Sequence, residues 1–122
     1  MHYFLGGNIL RIEFSPKGSI FTTTRNNGDV SIFETESGKE LFVIASENSR
    51  NTRPYSTFTL DGKFLAYTAR DGAIIQFHDV ATGKHVYTLQ SPVNVFQIAF
   101  DPNGYFLAGK TYDNHLVLWR LQ

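Results

Sequence analysis

Apolar and polar positions alternate along this chain in short bursts, and nowhere do they sustain a helical period. The bursts are rich in β-branched and aromatic residues, which suit a pleated, half-buried surface. Each is closed by Gly, Pro, Asn or Asp. They predict strands over Ile9–Phe14, Ser19–Thr24, Val30–Thr35 and Glu40–Ala45, then Tyr55–Leu60, Phe64–Ala69, Ile74–Asp79 and His85–Leu89, then Val95–Phe100, Tyr105–Lys110 and Leu116–Leu121. Alternation breaks at Phe64-Leu65-Ala66 and at Phe106-Leu107-Ala108. Consecutive strand residues point to opposite faces, so these runs require sheets covered on both faces rather than sheets with one wet face.

The chain also repeats itself. FSPKG, FTLDG and FDPNG begin at Phe14, Phe58 and Phe100, which stand 44 and 42 residues apart. SGKELFVI from Ser37 and TGKHVYTL from Thr82 repeat at 45 residues. Two markers in step, at a period made of short strands, point to propeller blades. The expected fold is all-β: three antiparallel blades spanning about 9–45, 54–90 and 94–122, of which the last lacks its outer strand. Within each blade the strands are a, b, c and d. The Pro-Lys-Gly, Asp-Gly and Pro-Asn-Gly segments make tight a–b turns. Asn27-Gly28, Asp71-Gly72 and Asp113-Asn114 close the b–c hairpins.

These residues resemble the WD-repeat β-propeller family. FSPKG, FTLDG and FDPNG are similar to its Phe-Ser-Pro-Asp-Gly signature. NNGDVSIFETESGK, HDVATGK and YDNHLVLWRL are similar to its second half, with Phe33-Glu34, His78-Asp79 and Trp119-Arg120 in the Trp-Asp place. The resemblance runs from about Ile9 to Leu121. It implies structural positions at Phe33, Asp71, His78, Asp113 and Trp119. No repeat keeps both Trp and Asp, and none carries Gly-His before strand a. The family's His–Asp–Ser/Thr–Trp hydrogen-bond network is therefore incomplete. The second unit has one extra residue between Tyr67 and His78, for which a bulge near Arg70–Ala73 is expected. Phe77 and His78 both compete for its Trp position.

Closed propellers have about 4–8 blades. Three cannot bend far enough to close, so Met1–Leu5 is the candidate strand that completes the last blade of another subunit. That contact is head-to-tail strand addition. It predicts a homo-oligomer, a six-bladed dimer ahead of a nine-bladed trimer. The other expectation is a fragment or subunit of a larger propeller whose activity lies elsewhere.

The totals remove several chemistries. Lys+Arg is 11 and Asp+Glu is 11, so the chain lacks the surplus that neutralises phosphates in a general nucleic-acid binder. It has no cysteine, hence no disulfide, thiolate nucleophile or Cys-based zinc site. MHYFLGGNILRIEF has neither a basic lead nor a long apolar core, so no signal peptide or membrane helix is read, and the cytoplasm is the default compartment. His2, His78, His85 and His115 do not fall at metal-ligand spacing. Gly6-Gly7 opens no helix and implies no phosphate loop. No catalytic residue, metal site or cofactor is expected, and no convergent polar set suggests a small ligand in the central channel.

One loop is longer than a blade needs. SENSRNTRPY carries Arg50 and Arg53 beside Tyr55. In a propeller, d–a and b–c connections emerge on one face, where Arg25 and Arg70 join them. Arg and Tyr anchor interfaces, and Arg clusters suit carboxylates and phosphates. The expected function is a non-enzymatic protein-interaction scaffold that offers Arg25, Arg50, Arg53, Tyr55 and Arg70 to an acidic or phosphorylated segment of a protein partner.

Overall fold

A computed structural model describes residues 7–46 and 54–121. Met1–Leu5, Arg50 and Arg53 lie outside the described residues. The strands are β1 (Ile9–Phe14), β2 (Ile20–Arg25), β3 (Val30–Glu34), β4 (Glu40–Ile44), β5 (Ser56–Phe58), β6 (Phe64–Ala69), β7 (Ile74–Asp79), β8 (His85–Gln90), β9 (Val95–Phe100), β10 (Phe106–Thr111) and β11 (Leu116–Arg120). They form three antiparallel meanders, β1-β2-β3-β4, β5-β6-β7-β8 and β9-β10-β11, which are blades 1, 2 and 3. β5 is shorter than the Tyr55–Leu60 expected, because the Thr59 N–H and hydroxyl already turn back to Phe64.

The turns repeat at atomic detail. Gly18, Gly62 and Gly104 donate to the carbonyls of Ser15, Thr59 and Asp101 at 2.9, 2.9 and 3.0 Å, with φ of 78, 74 and 77°. That left-handed backbone suits glycine. The third residue back from each glycine closes the hairpin by donating to Ile20, Phe64 and Phe106 in turn.

Two apolar layers hold the blades together. Val30, Ile32 and Ile44 of blade 1 meet Phe58, Leu65, Tyr67, Ala69 and Ile74 of blade 2. Ala66, Ile75 and Phe77 of blade 2 meet Val95, Ile98 and Leu107 of blade 3. Leu65 and Ala66 thus serve different layers, as do Ile74 and Ile75. This is the two-sided burial that the unbroken apolar runs require.

The extra residue of blade 2 does not make a bulge. β6 and β7 pair in continuous register from Phe64↔Asp79 to Ala69↔Ile74. The surplus is absorbed in a 3₁₀ turn over Arg70–Gly72, where φ is 50, 58 and 90° at Arg70, Asp71 and Gly72. The turn presses on the start of β9, since a Cβ on Gly72 would lie 2.1 Å from the Val95 carbonyl oxygen. At Gly18 a Cβ would meet nothing within 4 Å. Gly18→Ala should therefore cost about 1 kcal/mol, from its backbone conformation alone. Gly72→Ala should cost about 3 kcal/mol or more, because Val95 must also move. Denaturant melts of the two variants measure the difference.

Candidate functional site

The b–c turns and the strand a entries share one rim. Arg25 ends β2 and is half-buried. Its N–H donates to the Asp29 carbonyl at 2.9 Å, and its Nε is buried without a hydrogen-bond partner among the described residues. Arg70 is exposed in the left-handed turn. Tyr55 is half-buried at the entry to β5. Its N–H donates to the Thr68 hydroxyl at 2.9 Å, and its carbonyl accepts the Thr68 N–H at 3.0 Å. Its ring lies under the Arg11 guanidinium, 3.9 Å from the centroid. The topology thus brings Arg25, Tyr55 and Arg70 to one rim, with Tyr55 also engaged between blades. The first b–c turn also holds the start of the long loop, because the Ser46 N–H donates to Asp29 Oδ1 at 2.9 Å.

Sequence reasoning missed a polar bracket between β1 and β5. Arg11 donates to the Ser56 carbonyl at 2.7 Å, and the Thr57 hydroxyl donates to Glu13 Oε2 at 3.2 Å. Glu13 Oε1 is buried without a partner among the described residues. The signal was present in RIE, where alternation puts Arg11 and Glu13 on the same face as the apolar layer. Burial pushes the Glu13 carboxyl above its ordinary range, against the opposing pull of the Arg11 charge and of hydrogen bonds from Thr57 and Phe58.

By register, Phe33 pairs with Phe21, His78 with Leu65 and Trp119 with Leu107, so His78 and not Phe77 is the counterpart of Trp119 in blade 2. Phe77 points to the other face and joins the layer against blade 3. His78 Nδ1 donates to the Gly83 carbonyl at 3.2 Å, which leaves Nε2 to accept the Tyr67 O–H at 2.9 Å. Phe33 stacks on Phe21 at 5.1 Å between centroids. Trp119 Nε1 donates to the Gln90 carbonyl of blade 2 at 3.3 Å. Its ring lies against Gly109, where a Cβ would approach Trp119 Cζ3 to 3.0 Å. Asp113 binds the Thr111 hydroxyl and lies 3.2 Å from His115 Nδ1, and these contacts hold its carboxyl below the usual range. Asp71 stands inside the 3₁₀ turn. Among the described residues no cluster of His, Asp and Glu could hold a metal ion.

A cleft of about 700 Å³ opens between blades 2 and 3 at the a–b turn end. Phe64, Phe77, Tyr87, Phe100 and Leu121 line it, with Asp61 and Asn103 at its mouth.

The family model described as WD domain, G-beta repeat matches residues 83–120. Striatin-4 of Mus musculus is 30% identical over 116 residues. The chain belongs to the WD-repeat family. The striatin-4 alignment covers 87% of this chain and 15% of the relative. Autophagy-related protein 18 of Meyerozyma guilliermondii is 27% identical over 106 residues, covering 84% of this chain and 18% of the relative. Among solved structures, the RRP9 WD40 repeats superpose with a TM-score of 0.80 at 21% identity, over 96% of this chain and 37% of that one. The Cps50 (Swd1) β-propeller domain of Myceliophteria thermophila gives 0.76 at 17%, over 96% and 37%. This WD-repeat chain therefore spans only a small part of the length of these relatives. No helix among its described residues is long and apolar enough to cross a membrane.

The Glu13 shift has a definite sign. A carboxyl raised in the folded state contributes stability below its unfolded pKa and loses it as pH rises through the folded pKa. Glu13→Gln should raise the melting temperature by a few degrees near neutral pH, and the gain should close as pH falls toward about 4. Thermal melts of both chains across that range check it.

Proposed function

We propose that this chain is a non-enzymatic, cytoplasmic protein-interaction scaffold whose blades join head-to-tail with a second copy, giving six blades in preference to nine. What supports the assembly is the repetition of interface positions. By strand register, Leu116 and Leu118 stand where blade 1 has Val30 and Ile32 and where blade 2 has Ile75 and Phe77. Those four are buried, whereas Leu116 is 80% and Leu118 66% exposed. At the other end, Ile12 and Phe14 stand where blade 3 has Ile98 and Phe100. Ile98 is buried, but Ile12 is 61% and Phe14 56% exposed. Each bare face carries one half of an interface that the chain already makes twice, and bare apolar faces of this kind favour association.

A second reading is a segment of a larger propeller, favoured by the 15% of striatin-4 that the chain spans. In both readings the rim of Arg25, Tyr55 and Arg70, with Arg50 and Arg53 beside it in sequence, is the docking face for an acidic or phosphorylated protein segment.

One chain is 13.8 kDa. Native mass spectrometry should give a sharp species at twice that, and Leu118→Glu or Ile12→Glu should dissociate it. A lone 13.8 kDa species would sink the assembly and leave the second reading. Arg50→Glu combined with Arg53→Glu should abolish capture of acidic or phosphorylated peptides, and unchanged capture would remove the rim.

A further inference from the structure

We propose that Asn103, in the a–b turn of blade 3, deamidates spontaneously in the folded chain, whereas Asn27, in the same Asn-Gly dipeptide, is held intact by its surroundings. Asn103 is thus an age-dependent charge switch built into one turn, and it depends neither on how the blades assemble nor on what the rim binds. Asn27-Gly28 and Asn103-Gly104 are the two Asn-Gly pairs of the chain. Asparagine is chemically labile, and a glycine after it lets the backbone nitrogen approach closely, because no side chain stands in the way.

The step consumes only water. The Gly104 nitrogen gives its proton to solvent and attacks Asn103 Cγ. A new Cγ–N bond forms and the Cγ–Nδ2 bond breaks. Nδ2 takes a proton from solvent and leaves as ammonia, and a succinimide ring remains. Water then adds to one of the two ring carbonyls. Opening one way gives aspartate, and opening the other way gives isoaspartate, whose side-chain carbons now carry the backbone. Either product has a carboxylate where a neutral amide stood.

The two turns differ in what must first be undone. Their glycine N–H groups are engaged alike, Gly28 with the Arg25 carbonyl at 2.9 Å and Gly104 with the Asp101 carbonyl at 3.0 Å, at φ of 91 and 77°. The asparagine side chains are not alike. Asn27 Nδ2 donates to Asp29 Oδ2 at 3.2 Å, and Asn27 Oδ1 accepts the Asp29 N–H at 3.0 Å, so both ends of that amide are tied. Asp29 is itself anchored, since its Oδ1 accepts the Ser46 N–H at 2.9 Å. Asn103 is exposed, and among the described residues only its backbone N–H is engaged, by Asp101 Oδ1 at 2.6 Å. Gly28 is buried, and a Cβ there would lie 2.6 Å from Ser46 Oγ. A Cβ on Gly104 would meet nothing within 4 Å, which leaves room for the ring and for the water that opens it. The product then disturbs its own turn. The Asp101 carboxylate accepts the N–H groups of Asn103 and Phe106 at 2.6 and 2.7 Å, and a second carboxylate two positions away repels it.

The test incubates the 122-residue chain, folded, at neutral pH and samples it over time. Protease digestion and mass spectrometry locate each deamidated residue, and anion exchange separates chains by the added charge. Asn103 should react about tenfold faster than Asn27, whose two side-chain hydrogen bonds must open first. In the chain unfolded in urea the two rates should come together. Asp29→Ala should bring Asn27 toward the Asn103 rate, with Asn103 in the same chain unchanged as the internal control. Asn103→Gln should remove the main acidic species on anion exchange. Equal rates in the folded chain, a faster Asn27, or an intact Asn103 over the time in which the unfolded chain reacts would overturn the proposal. So would a difference that persists in urea, or an Asp29→Ala chain in which Asn27 stays as slow as before.

Discussion

Blade 2 is the element on which the rest depends, because its sheet buries both faces at once. Residues one apart on β6 and β7 go to different layers, Leu65 and Ile74 to blade 1, Ala66 and Ile75 to blade 3. Burial of large apolar side chains is worth about 1.5–3 kcal/mol each. A sheet between two layers collects that on both sides, whereas blades 1 and 3 collect it on one. The bare faces of the outer blades follow from the same geometry. Leu116 and Leu118 are as apolar as their buried counterparts and have nothing against them among the described residues. Stability in such a repeat is close to a sum of blades and the contacts between neighbours.

Between blades 1 and 2, polar contacts among the described residues sit where apolar packing thins out. Arg11 reaches across to the Ser56 carbonyl and covers the Tyr55 ring, and Glu13 meets Thr57. These tie the innermost strands, where β5 is only three residues long and offers little apolar area. Holding a carboxyl there has an electrostatic cost, visible in the raised Glu13 pKa. The close approach of Gly72 to Val95 joins blade 2 to blade 3 by a different means, backbone against backbone.

The strands and the repeated turns were legible because each rests on local signals: apolar alternation, a turn glycine with positive φ, and a marker that recurs in step. The bracket of Arg11 and Glu13 was only half legible: alternation turns both toward the apolar layer, but their partners are in β5, more than forty positions away, and nothing local names them. The extra residue near Arg70 was legible as a count but not as a shape. A bulge and a tight turn both absorb one residue, and the turn wins because it leaves all six β6–β7 pairs intact. Of the rim residues, Arg25 and Arg70 were legible from strand ends alone. The engagement of Tyr55 by Arg11 was not.

The most divergent position is also the most informative about how such a blade tolerates change. Phe33, His78 and Trp119 occupy one register place with three chemistries, and each is matched by a different neighbour. Phe33 stacks on Phe21, His78 spans from Tyr67 to the Gly83 carbonyl, and Trp119 lies over Gly109 and donates to Gln90. A tyrosine at position 109 would strike the Trp119 ring, and a glycine at 67 would leave His78 Nε2 without the hydroxyl it accepts. Residues in contact couple in this way, so that neither can change alone without loss. A shared hydrogen-bond network would demand the same residues in every blade. Separate local matches ask only that each pair agree with itself, which is how three blades of one fold can carry so little of the family's Trp-Asp signature.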